Sequence, residues 1–98
     1  MSRPKKSVYK SEDEILAKYA KALGHPARLA IIRHLASFPN ICFTEILNEL
    51  PISQSTVSQH LKELKDAGLI KGCIELPKVY YCIDKDNLKI AKKLISEL

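Results

Sequence analysis

The stretch TEILNELPISQSTVSQHLKELKDAGL, Thr44–Leu69, decides how the rest of the chain is read. Two short amphipathic segments meet at Pro51-Ile52-Ser53, and the second presents Gln54, Ser55, Thr56, Ser58 and Gln59 before its leucines begin. These side chains are uncharged, small or medium in size, and rich in hydrogen-bond donors and acceptors. A helix that carries such groups near its N-terminus is suited to reading base edges in a DNA major groove, while the preceding segment braces it across the backbone. The pattern is that of a helix-turn-helix.

Within the second segment, Ser53 is placed to cap a helix running to about Ala67, with Val57, Leu61 and Leu64 as its core stripe. Projection at about 100° per residue sets Ser55, Gln59, Lys62 and Asp66 opposite that stripe, with Thr56, Ser58 and Glu63 flanking it. His60 falls at the edge of the stripe, where core packing and a phosphate or base contact are about equally expected. Gly68 stops the helix. The first segment is predicted to begin near Cys42 and to turn Phe43, Ile46, Leu47 and Leu50 inward before Pro51 ends it.

After Gly68 the period changes from helical to alternating. Leu69 to Ile74 and Val79 to Ile83 are rich in β-branched and aromatic residues and are joined through Glu75-Leu76-Pro77-Lys78. They predict a hairpin, a wing beside the reading helix with Lys78 at its tip. A turn centred on Leu76 sets Cys82 opposite a residue between Leu69 and Lys71, too far along the sheet from Cys73 for a disulfide, whose Cα atoms must lie within about 7 Å. A pairing of Cys42 with Cys82 stays open. A last helix follows, capped by Asp84 or Asp86, with Leu88, Ile90, Ala91, Leu94, Ile95 and Leu98 apolar.

Upstream, Ser11 and Glu14 have capping-box spacing, and Glu12, Asp13 and Glu14 suit the positive end of a helix dipole. Ile15, Leu16, Tyr19, Ala20, Ala22 and Leu23 recur at helical spacing up to Gly24. His25-Pro26 opens the next helix, with Pro26 at the first position, where a missing N–H costs nothing. Leu29, Ile32, Leu35 and Ala36 form its expected buried face, with Arg28 and Arg33 on the solvent side and His34 as a polar flank. Ser37-Phe38-Pro39-Asn40 reads as a turn. Met1 to Lys10 is a basic tail, read either as a solvated terminus or as an arm touching phosphates.

Ninety-eight residues, 46% apolar and 28% charged, suit one folded domain over residues 11–98. A chain of this size often completes its core with a second subunit, and the first and last helices supply a plausible seam. The net charge of +5 favours an anionic partner. No apolar run approaches a membrane span and the basic start is not a secretory signal, so no membrane association is expected. Three irregularly spaced cysteines fit a reducing cytoplasm rather than a disulfide framework. No nucleophile–base constellation, Gly-rich phosphate loop or CxxC occurs, so catalysis has no support.

Three blocks, LGHPARLAIIRHL (Leu23–Leu35), ISQSTVSQHLKELKDAGLI (Ile52–Ile70) and VYYCI (Val79–Ile83), together resemble the ArsR family of winged-helix bacterial repressors. The resemblance covers roughly residues 12–98, with order and spacing in register. It implies a mainly α fold with a small β-hairpin, a winged helix-turn-helix that pairs as a homodimer through its first and last helices. Such proteins bind an inverted repeat in double-stranded DNA and repress transcription until an effector lowers DNA affinity. The corresponding reading helix is Ser53–Ala67 and the wing Cys73–Cys82.

The family's sensing motifs are reduced here. Its arsenic site uses a Cys-x-Cys pair at the start of the third helix, where this chain has Cys42-Phe43-Thr44, and one thiolate cannot assemble a soft three-thiolate site. Many members carry Ser there, so Cys42 reads as a plain substitute for a cap. Its zinc and nickel site lies on the last helix, where the nearest match is Asp84-Lys85-Asp86 followed by Glu97, with both histidines missing. No metal and no cofactor are therefore implied, and the effector is left unnamed.

The expected DNA-contacting residues are Gln54, Ser55, Thr56, Ser58, Gln59, His60, Lys62 and Lys78, with Lys71 as a further phosphate contact. Two rival readings are a thiol- or metal-responsive sensor acting through Cys42 as a redox residue, and a winged-helix module that binds an acidic protein.

Overall fold

A computed structural model describes residues 8–98, so most of the basic tail lies outside the described residues. The chain forms α1 (Ser11–Leu23), α2 (Pro26–Ala36), β1 (Ile41–Cys42), α3 (Phe43–Glu49), α4 (Gln54–Asp66), β2 (Ile70–Glu75), β3 (Lys78–Ile83) and α5 (Lys85–Ser96). The strands make one antiparallel sheet in the order β1-β3-β2.

The core is built where helical stripes converge. Val57, Leu61 and Leu64 of α4 are fully buried against Ile31 and Leu35 of α2, Ile46 of α3 and Tyr19 and Ala22 of α1. Burying each such aliphatic side chain contributes about 1.5–3 kcal/mol, so the three of α4 suffice to hold the exposed polar face of that helix in a fixed orientation. Ala91 brings α5 onto the same core from beside α1.

Helix ends follow the local chemistry with two exceptions, α1 and α3; Cys42 holds the cap position of α3 but makes no capping hydrogen bond through its side chain. Ser53 caps α4, its hydroxyl accepting from the Thr56 N–H at 3.3 Å. His25 caps α2 through Nδ1, which accepts from the Ala27 N–H at 3.0 Å, with Pro26 at the first helical position. Asp84, rather than Asp86, caps α5 by accepting from Asn87 N–H. Ser11 is not a cap: α1 starts one residue earlier, so Lys10 holds the cap position and its carbonyl accepts from the Asp13 and Glu14 N–H groups. The acids of the first turn still complement the dipole there.

Gly68 ends α4 in a Schellman arrangement. Its φ is +85°, its N–H reaches the Lys65 carbonyl, and the Leu69 N–H reaches the Leu64 carbonyl. The Gly68 carbonyl accepts in turn from the Asn87 side-chain amide at 2.9 Å, which ties the end of α4 to the first turn of α5.

The expected inward face of α2 is shifted by one residue. Ile31, Ile32 and Leu35 are buried, whereas Leu29 is 39% exposed and Ala36 lies on the surface. Helical spacing from Ile31, Ile32 and Leu35 back to the first turn leads to position 28, not 29. Arg28 occupies that inward slot. Its guanidinium is accommodated because the Lys21 and Ala22 carbonyls at the end of α1 accept from it at 3.2 and 3.3 Å. Arg33 remains outside as expected.

The hairpin register pairs Ile70 with Ile83, Lys71 with Cys82 and Cys73 with Tyr80, with Leu76-Pro77 at the tip. Cys82 therefore faces Lys71, as the turn position predicted. The two-residue strand β1 was not foreseen. It sets Ile41 opposite Tyr81 and Cys42 opposite Tyr80, and so fastens the start of α3 to the wing. Cys42 and Cys82 then lie diagonally across adjacent strands, a spacing of about 7–8 Å, and all three cysteines are free thiols.

Candidate nucleic-acid interface

The N-terminal half of α4 stands clear of the core. Gln54, Ser55, Thr56, Ser58 and Gln59 are all exposed, while Val57 between them is fully buried. The hydroxyls of Ser53, Ser55 and Thr56 gather at the helix start, with Ser53 Oγ 3.2 Å from Ser55 Oγ and 2.8 Å from Thr56 Oγ1. Gln54 and Ser58 make no side-chain hydrogen bond among the described residues. Gln59 Nε2 donates to Glu63 Oε1 at 3.0 Å, one turn along the helix. That contact presets the amide on an exposed residue.

Cations flank this face. Lys62 is exposed and pairs with Asp66 at 2.7 Å; the hydrogen bond to Asp66, then the charge of that carboxylate, raise its pKa above the ordinary lysine value. Lys78 starts β3 opposite Glu75 at the wing tip and is exposed. Lys71 lies 3.9 Å from Asp84, a loose pair.

One expected contact residue is not on this surface. His60 is only 7% exposed. Its Nδ1 accepts from Arg28 Nε at 3.1 Å, and its ring lies 4.4 Å from that of His25 at 49°. Burial, then the charges of His25 and Arg28, lower its pKa, so the neutral ring is the form that fits. The position at the stripe's edge is resolved toward the core because Arg28 supplies the donor that a buried imidazole needs. Arg28 itself escaped sequence reading, since an arginine in the first turn of a helix ordinarily points to solvent. The signal available was its i, i+3, i+7 relation to Ile31 and Leu35.

Lys65 was also overlooked. A Cβ built on Gly72 would come within 3.5 Å of Lys65 Nζ, so the glycine leaves this amine resting over the wing strand. It adds a cation where helix and wing adjoin.

Cys42 is buried at the head of α3, where its thiol donates to Glu45 Oε1 at 3.2 Å and lies 3.2 Å from Thr44 Oγ1. Among the described residues no three His, Cys, Asp or Glu side chains gather in a way that could hold a metal ion.

The profile for bacterial regulatory proteins of the arsR family matches residues 25–71. An HTH-type transcriptional regulator of Methanocaldococcus jannaschii is 40% identical over 85 residues, 87% of this chain and 96% of that protein. The chain belongs to the ArsR family. As a member it is a DNA-binding transcriptional regulator, and its relatives and fold are those of regulators rather than enzymes. Another relative, the cadmium resistance transcriptional regulatory protein CadC homolog of Staphylococcus aureus, is 33% identical over 89 residues, 91% of this chain and 74% of that one. Among solved structures, NolR from Sinorhizobium fredii superposes with a TM-score of 0.73 at 28% identity, covering 95% of this chain and 93% of that one. HlyU from Vibrio cholerae gives 0.74 at 25% identity, covering 87% and 94%. The ArsR-family winged helix is thus the observed architecture. No helix among the described residues is long and apolar enough to cross a membrane.

Proposed function

We propose that two copies of this chain pair through α1 and α5 and bind an inverted-repeat operator in the cytoplasm, repressing transcription from it. The observation that carries this reading is the exposed polar face of α4. Gln54, Ser55, Thr56, Ser58 and Gln59 crown a helix whose opposite side is locked into the core, so their positions are set before DNA arrives. In this reading Ser55, Thr56, Ser58 and Gln59 meet base edges, with Gln54 beside them, and Lys62, Lys78 and Lys71 neutralise phosphates. His60 orients the helix from behind instead of touching DNA.

Support for pairing comes from apolar side chains that one chain leaves uncovered. Ile15 of α1 is 40% exposed, and Ile90 and Ile95 of α5 are 45% and 44% exposed, on two helices packed against each other. A second copy is the natural cover for such a surface in a chain this small. Repression has support from relatives such as the transcriptional repressor PagR of Bacillus anthracis, 32% identical over 82 residues. The cadmium of the CadC homolog's name belongs to that protein, and the head of α3 here reads Cys42-Phe43-Thr44, with a single thiol.

Selection of bound sequences from random duplex DNA tests the reading. The expected product is one inverted repeat whose half-sites are separated by about one helical turn, 10–10.5 base pairs, or a multiple of it. Recovery of a lone half-site, or of no preferred sequence, would refute the dimeric operator.

A further inference from the structure

A hollow of about 520 Å³ opens between the C-terminal turn of α2, the loop after it, the end of β3 and one face of α5. Its volume lies within the range of small-molecule sites. The floor is apolar, made by Leu35, Ile83 and Leu88. Phe38 forms one wall. It is 54% exposed, yet its ring is held edge-on to His34 at 5.6 Å, so it stands as a fixed apolar surface facing solvent.

The opposite rim is cationic. Lys85, Lys89 and Lys92 line the hollow at i, i+4 and i+7, one face of α5. All three are exposed and none forms an ion pair or hydrogen bond with another described residue. Like charges at this spacing repel weakly, and an anion over the face would relieve that repulsion. The nearest acids do not supply one. Asp84 is taken up by the helix cap, Asn87 and Lys71, and Asp86, although i, i+3 from Lys89, forms no ion pair with it. Ile90 lies about 100–160° and Leu94 about 140–180° round the helix from the three lysines, while the uncovered Ile95 lies about 60° from Lys92, so a seam on these residues runs beside the Lys92 end of the hollow.

From this juxtaposition we infer that the hollow is a binding site for a small amphipathic anion, with an apolar body on Leu35, Phe38, Ile83 and Leu88 and a single carboxylate or phosphate head among the three lysines. The one-sided placement of the cations selects a ligand with one acidic end. The site stands independently of the operator reading, because nothing in it involves the outward face of α4.

Calorimetric titration of the full chain, without DNA, tests it with octanoate, octyl phosphate and octanol as probes. One-site saturable binding is expected for octanoate, octyl phosphate or both, and which of the two binds more tightly identifies the head group. Octanol should bind at least about tenfold more weakly, and the combined Lys85→Ala, Lys89→Ala and Lys92→Ala variant should lose about tenfold in affinity for the anions, the sum of three exposed charge contacts. These lysines are solvent-exposed, so that variant keeps its fold, which circular dichroism verifies. Phe38→Ala should weaken all three probes. No saturable binding of either anion, equal binding of octanol, or unchanged affinity in the triple variant would overturn the assignment.

Discussion

Arg28 Nε–H donates to Nδ1 of His60 across 3.1 Å, joining the first turn of α2 to the buried side of the reading helix. The same guanidinium caps the end of α1 through the Lys21 and Ala22 carbonyls. One side chain thereby fixes three helices, and the bond to His60 exists only while that imidazole is neutral.

Acid should therefore loosen the scaffold. His60 has a folded-state pKa below its ordinary value of 6.5, through burial first and then its neighbours His25 and Arg28. Above 6.5 both folded and unfolded states hold it neutral and its contribution to stability is fully present. As pH falls from there toward the folded-state pKa, the unfolded chain takes up the proton first and stability is lost. Urea titrations between about pH 7.5 and 5 should show this decline, and His60→Gln, which keeps an acceptor but cannot titrate, should flatten it. Identical pH dependence in the two proteins would remove His60 as its source.

Gln59→Ala is expected to relax sequence preference more than it lowers affinity. The amide is exposed and held toward one side by Glu63, ready for a bidentate contact to a base edge. Discrimination between the preferred operator and a variant at the contacted base should shrink by about 1–3 kcal/mol, as read by competition binding. Unchanged discrimination would move the reading face elsewhere on α4.

Lys62 should behave differently, because a phosphate contact carries no sequence information. Lys62→Ala should weaken binding to all duplexes about equally and reduce the slope of log affinity against log salt by roughly one. The present partner of Lys62 is Asp66 at 2.7 Å, so Asp66→Ala should release the amine and strengthen non-specific binding. Salt-series titrations on operator and on random duplex separate the two variants.

Gly68→Ala should destabilise the fold by about 1–2 kcal/mol, the cost of a side chain in the left-handed conformation. The added Cβ would also come within 3.0 Å of Asn87 Nδ2 and press on the amide that bonds the Gly68 carbonyl. The shift in urea midpoint measures the cost. A value near zero would mean that the turn relaxes to negative φ.

Elements whose causes are local were legible in the residues. The core stripe of Val57, Leu61 and Leu64, the Ser53 cap and the hairpin register all depend on spacing within a few positions. The exposed polar face of α4 followed from the same stripe. What escaped depends on partners distant in the chain. β1 is two residues long and exists only because Tyr80 and Tyr81 lie opposite it, so no periodicity could announce it. Arg28 turned inward because carbonyls from α1 and an imidazole from α4 converge on it, which no property of α2 alone encodes. Placing His60 required the same convergence.

Asn87 reaches from the first turn of α5 to the Gly68 carbonyl, at the foot of α4, while its own N–H is held by Asp84. In a paired molecule this joint works like the pivot of a pair of callipers. A roll of α5 would pull on the end of α4 through this hydrogen bond. If two copies pair as proposed, the distance between the two α4 tips would be set partly by this joint.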